Sequence, residues 1–210
     1  MYDRRYDGKV LTFEASGGLL NSSLVLQDRE TDSYWPIMQG KSLQGEFAGT
    51  EMKVVAVNRK MTWAKWYREH PDTLVLSVDG VEDQKNEYDN YFDSADGFRH
   101  SQAKDKRLKT KAPIYAFRLA GKTYAVSYSD IVGGRRFYLG DKVAYLHRGV
   151  ADGLQDSTLG FLGTTDSNCS FIERTHSLLG DGCNTPLKGF DTFWYNWSLN
   201  NPDTVLLGQK

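Results

Sequence analysis

The chain has 210 residues, with 26 lysines and arginines against 27 aspartates and glutamates and a formal net charge of −1 at pH 7. A globule of this length buries roughly 70% of its unfolded surface, so it needs no structural metal or disulfide to hold a core. At 40% apolar and 25% charged residues, wholesale disorder, collagen-like repetition and a nucleic-acid binder dependent on a global positive field are excluded.

No apolar run approaches the roughly 18 residues of a membrane span. Met1-Tyr2-Asp3-Arg4-Arg5 opens without the basic, apolar and small-residue regions of a signal peptide, so a cytoplasmic protein or a mature or truncated form is expected. Strand signals dominate from there. Residues 9–15 alternate, and Tyr6-Asp7-Gly8 supplies an Asp-Gly turn for a hairpin with residues 1–5. Residues 24–26, 34–38 and 52–57 read as further strands. Thr62 can cap a helix through Trp63, Trp66 and Tyr67 that Pro71 stops.

Residues 78–111 form a polar excursion, acidic and aromatic over 87–96, then basic over 104–111. The second half opens on two hairpins. Residues 114–119 and 123–128 flank a turn at Ala120-Gly121-Lys122, and residues 136–139 and 142–147 flank Gly140-Asp141. Asp191 or Thr192 can cap a last helix through Trp194 and Trp197, which Pro202 stops.

Those two helices are related. Trp63, Trp66, Pro71, Asp72 and Thr73 recur at one offset, 131 residues, as Trp194, Trp197, Pro202, Asp203 and Thr204, each time running into apolar residues. The pattern W-x-x-W-x4-P-D-T is read as an internal duplication. The i, i+3 tryptophans share a helix face and are expected to bury it against the sheet; an aromatic ligand platform is the alternative. The expected fold is therefore mainly β with a few short helices, in two pseudo-repeated halves sharing one core. The first covers residues 1–111, with its Trp helix at 62–70 and charged loop at 78–111. The second covers 112–210, with its Trp helix at 192–200.

Residues 4–18, 20–24, 28–31, Trp35 and 62–76, with His100 and Arg107-Leu108 in the charged segment, resemble an uncharacterised family, domain of unknown function 3179. The resemblance spans nearly the whole chain and is specific in the first 76 residues. Members of that family usually carry an upstream Cys-Pro-x-Cys segment that this sequence lacks, so chemistry resting on that motif does not carry over. The resemblance implies an exported or membrane-anchored setting and no transferable activity.

Cys169 and Cys183 flank a Gly-Asp-Gly turn and are either reduced thiols or a local disulfide. The sequons at Asn21, Asn168 and Asn196 lean toward an extracytoplasmic context. His70, His100, His147 and His176 are scattered without metal-ligand spacing, and His70 suits a capping or surface role. His100, in the charged loop, is the candidate catalytic group, since imidazole titrates near neutrality. Asp89, Asp93 and Asp96 are candidate ligand-binding residues that could offer oxygens to calcium, although the pattern of a calcium loop is missing. Ala15-Ser16-Gly17-Gly18 lacks the context of a nucleophile elbow. Gly17-Gly18 and Gly133-Gly134 suit turns or strand bends rather than a phosphate loop. The basic run at 104–111 reads as a solvated face.

No cofactor is identified. The reading favoured is a non-catalytic, extracytoplasmic binding or assembly module. It would meet a protein partner or a second copy through an exposed strand edge, with no nucleic acid and no membrane span. The alternative is an enzyme or metal-dependent protein using His100 and the neighbouring aspartates between the halves.

Overall fold

The Asp-Gly turn forms where the sequence places it. In the computed structural model, which describes residues 2–55, 63–76, 88–148, 158–165, 169–172, 177–180, 183 and 185–208, Asp7 and Gly8 turn β1 (Arg5–Tyr6) onto β2 (Lys9–Val10). The strand expected at 9–15 breaks after Val10, because Leu11 turns wholly inward and its N–H donates to the Arg4 carbonyl. It resumes as β3 (Phe13–Leu20), which pairs with β4 (Ser23–Asp28), itself paired with β5 (Tyr34–Pro36). The β3–β4 register shifts between Ala15 and Leu19, where Gly17 takes φ +77°, the left-handed backbone of a bulge.

Residues 51–55 form isolated bridges, Lys41 with Glu51 and Tyr2 with Val54, rather than the strand expected at 52–57. Their backbone is held between loops: Met52 donates to Gly40, and the Lys53 amide to the Tyr6 hydroxyl at 3.0 Å. Residues 56 and 57 lie outside the described residues. Tyr6, Leu11, Trp35, Phe47 and Met52 make the core of this half.

α1 (Trp63–Glu69) and α2 (Asp89–Asp93) follow. The capping residue expected for α1, Thr62, and positions 78–87 of the excursion lie outside the described residues.

Both expected hairpins of the second half are present: β6 (Pro113–Leu119) with β7 (Lys122–Ser127), and β8 (Arg135–Leu139) with β9 (Lys142–His147). β10 (Leu159–Thr164) adds to β9, and β11 (Ser170–Ile172) pairs with β12 (Ser177–Leu179). β13 (Thr185–Pro186) adds to β10, and β14 (Gly189–Phe193) to β6. α3 (Trp194–Asn200) leads to β15 (Val205–Leu207), which runs parallel to β7. The sheets are ordered β14-β6-β7-β15 and β13-β10-β9-β8.

Strand alternation layers this half. Tyr115 and Phe117 of β6 meet Ala144 and Leu146 of β9 between the two sheets. Ile114 and Ala116 point the other way, beneath Trp194 and Trp197 of α3. Val143 and Tyr145 of β9 face outward, under the cysteines. Residues 1–111 and 112–210 are joined by Asn21 donating to the Leu199 carbonyl at 3.0 Å, and by Arg118 and, at 3.2 Å, Asn201 donating to the carbonyl of Met38. The mainly β fold with short helices is the one the sequence predicts.

Candidate functional site

The charged excursion packs on α3 through its aromatic and basic residues. Tyr195 receives the Phe98 amide on its hydroxyl at 3.2 Å and lies 3.1 Å from the Tyr91 hydroxyl. Burial, with the Tyr195 hydroxyl second, raises the Tyr91 pKa. Gly97 is confined by the same ring, since a Cβ there would fall 2.6 Å from Tyr195. Lys111 donates to the carbonyls of Tyr91, Phe92 and Ser94, closing the C-terminal end of α2. Arg107 binds Asp105 at 2.6 Å, donates to the Thr204 carbonyl at 2.9 Å and lies over the Trp194 ring. The basic run expected as a solvated face thus has two of its cations fastened to the fold, because the C-terminal end of α2 and Thr204 offer carbonyls and Trp194 offers an indole face beside it.

The expected catalytic and ligand residues end elsewhere. The His100 side chain is 91% exposed, with Nδ1 3.4 Å from Asp96. Gln102 also donates to Asp96. Asp89 and Asp93 lie on α2, which buries no residue. Among the described residues, no three His, Cys, Asp or Glu side chains are arranged to hold a metal.

The two tryptophan elements share their terminal geometry and differ in burial. His70 donates to Trp66 at 2.8 Å and Thr73 to His70 at 3.1 Å; Asn201 donates to Trp197 at 2.9 Å and Thr204 to Asn201 at 3.2 Å. Trp194 and Trp197 are wholly buried, as expected. Trp63 and Trp66 are not: they are 52% and 37% exposed, and Leu74 and Leu76 after Pro71-Asp72-Thr73 are 96% and 95% exposed. Their expected burial fails: the core of Tyr6, Leu11, Trp35, Phe47 and Met52 does not include them. Trp66 instead donates to Thr73 at 2.8 Å and lies tilted against the His70 ring, with centroids 4.2 Å apart, which gives His70 a surface role.

The helix cap expected from Asp191 or Thr192 is also displaced. Phe193 occupies the N-cap without a side-chain hydrogen bond. Asp191 is drawn into the interior, where it accepts from the Thr158 hydroxyl at 2.7 Å and lies 3.7 Å from the Arg148 guanidinium. Arg148 in turn sits over the Tyr128 ring, and burial raises the Tyr128 pKa, with Asp191 adding to it.

Cys169 and Cys183 are disulfide-bonded. Next to Cys169, against the outer face of β8–β9–β10, lies a cavity of 320 Å³. Arg136, Tyr145 and Phe161 form one cross-strand row on its floor. Arg135, His147 and Ser170 also line it. The sequence reading missed this assembly. Its available signal was the run Gly133-Gly134-Arg135-Arg136 followed by a two-residue turn, which sets Arg136 opposite Tyr145.

A family model described as a protein of unknown function, DUF3179, matches residues 1–204. No curated protein and no solved structure matches the chain.

Proposed function

The chain belongs to the DUF3179 family, and from that premise we propose a non-catalytic binding and assembly module of extracytoplasmic type. The observation that carries this reading is the contrast between α1 and α3. One sequence pattern with one terminal hydrogen-bond geometry is seated on a sheet in the second half and exposed in the first. Exposed contiguous apolar surface of this kind marks a protein contact.

The occupant is a β-hairpin of a protein partner. It presents small apolar side chains to Trp63 and Trp66, as β6 and β7 present Ile114, Ala116 and Ala125 to α3. Residues 74–76 then add to the hairpin edge, as β15 adds to β7. The disulfide supports the extracytoplasmic setting, and no helix among the described residues is long and apolar enough to cross a membrane.

Native mass spectrometry of the protein from its own source tests the reading. The expected result is a complex with a protein partner that the double variant Trp63→Ala, Trp66→Ala fails to form. A bare chain, or an assembly indifferent to the two substitutions, overturns it.

A further inference from the structure

The cavity beside the disulfide is remote in sequence from the Trp helix and carries a separate inference. We propose that it binds a small organic anion, a carboxylate on a flat apolar body.

Charge selects the sign. Arg135 is offset by Asp130 at 3.2 Å. Arg136 has no carboxylate partner among the described residues; it lies 5.2 Å from the Tyr145 ring centroid and donates one N–H to the Cys169 carbonyl. A guanidinium has five N–H donors in a planar fork, so the remaining ones suit the two oxygens of a carboxylate. No aspartate or glutamate is among the lining residues, which disfavours a cation.

Shape and polarity select the body. The floor beside Arg136 is the ring row of Tyr145 and Phe161, a surface for a flat apolar group. The volume of 320 Å³ is at the lower end of ligand pockets, about 300–1,000 Å³. A doubly charged phosphate would need a second cation free of Asp130, and it would leave the rings bare. Gly134 keeps the wall thin: at φ +93°, a Cβ there would come within 3.2 Å of the His147 ring.

The test is a ligand-observed NMR titration of the full disulfide-bonded chain with benzoate, alongside benzamide as its uncharged counterpart and inorganic phosphate. Benzoate is expected to bind in preference to both. Arg136→Gln is expected to weaken it roughly tenfold or more, since a charge-assisted pair is lost. Arg136→Lys, which keeps the charge and the stem but not the fork, is expected to fall between; it also serves as the readout if the glutamine variant does not fold. No benzoate binding, binding unchanged by both substitutions, or benzamide or phosphate binding as tightly as benzoate overturns the proposal.

Discussion

Trp35 and Asp28 form a wholly buried pair: the indole Nε1 donates to Asp28 Oδ2 at 2.7 Å, and both residues are 0% exposed. The other carboxylate oxygen accepts the Thr31 amide and hydroxyl, each at 2.7 Å. One aspartate therefore ties the β4–β5 turn to the ring at the centre of the first-half core. Asp28→Ala strands an indole N–H and two Thr31 donors, which should cost about 2–4 kcal/mol. Urea unfolding measures it, and a loss below about 1 kcal/mol would contradict the role.

The two tryptophan pairs should answer truncation differently. Trp194→Ala or Trp197→Ala opens a cavity under α3 and should cost about 3–5 kcal/mol each. Trp63→Ala and Trp66→Ala should cost about 1 kcal/mol or less each in the isolated chain. Equal losses in denaturant titrations would mean that α1 is as well seated as α3.

Acid stability should depend on Asp105. The Arg107 side chain, as hydrogen-bond donor, holds its carboxyl below the ordinary carboxylate range. A depressed folded pKa gives stability that is complete above the unfolded value, about 3.9, and is lost as pH falls through the folded one. Asp105→Asn should therefore lower stability at neutral pH and narrow its gap to the wild type below pH ~4. Unfolding midpoints measured from pH 7 down to pH 2 check this; a gap that widens in acid would contradict the sign.

Reduction should loosen the outer layer of the second half. Cys169 and Cys183 are 14 residues apart, and opening a loop of that size should cost about 3 kcal/mol. Thermal melts with and without reductant measure the loss. The iodoacetamide-trapped protein should then show faster amide exchange at Val143 and Tyr145, which pack against the two cysteines.

What was legible in the sequence was what local chemistry decides. Asp7-Gly8, Ala120-Gly121 and Gly140-Asp141 fix two-residue turns, and a turn fixes the strand register on both sides of it. The burial of α1 was not legible, because identical motifs do not reveal whether a sheet stands opposite. The cap at Asp191 was misread for a related reason: a carboxylate near a helix start is also a partner for a buried arginine, and Arg148 is 43 residues away in sequence. His100 is an imidazole in a charged loop, which sequence alone cannot tell from a catalytic group, and its side chain points to solvent. Arg136 and Tyr145 are ordinary strand residues in the sequence, and the hairpin register sets them side by side.

The arrangement of the β14-β6-β7-β15 sheet also dictates an order of assembly. The β6–β7 hairpin closes through neighbouring residues, whereas both strands that flank it come from positions 189–207. A local hairpin forms in about 1–10 µs, while residues leave a ribosome at about 5–20 per second. For several seconds of every synthesis, therefore, both outer edges of that hairpin are open and the surface that will receive Trp194 and Trp197 is wet. Nascent chains stalled before residue 189 should be the most chaperone-dependent and aggregation-prone form of this protein.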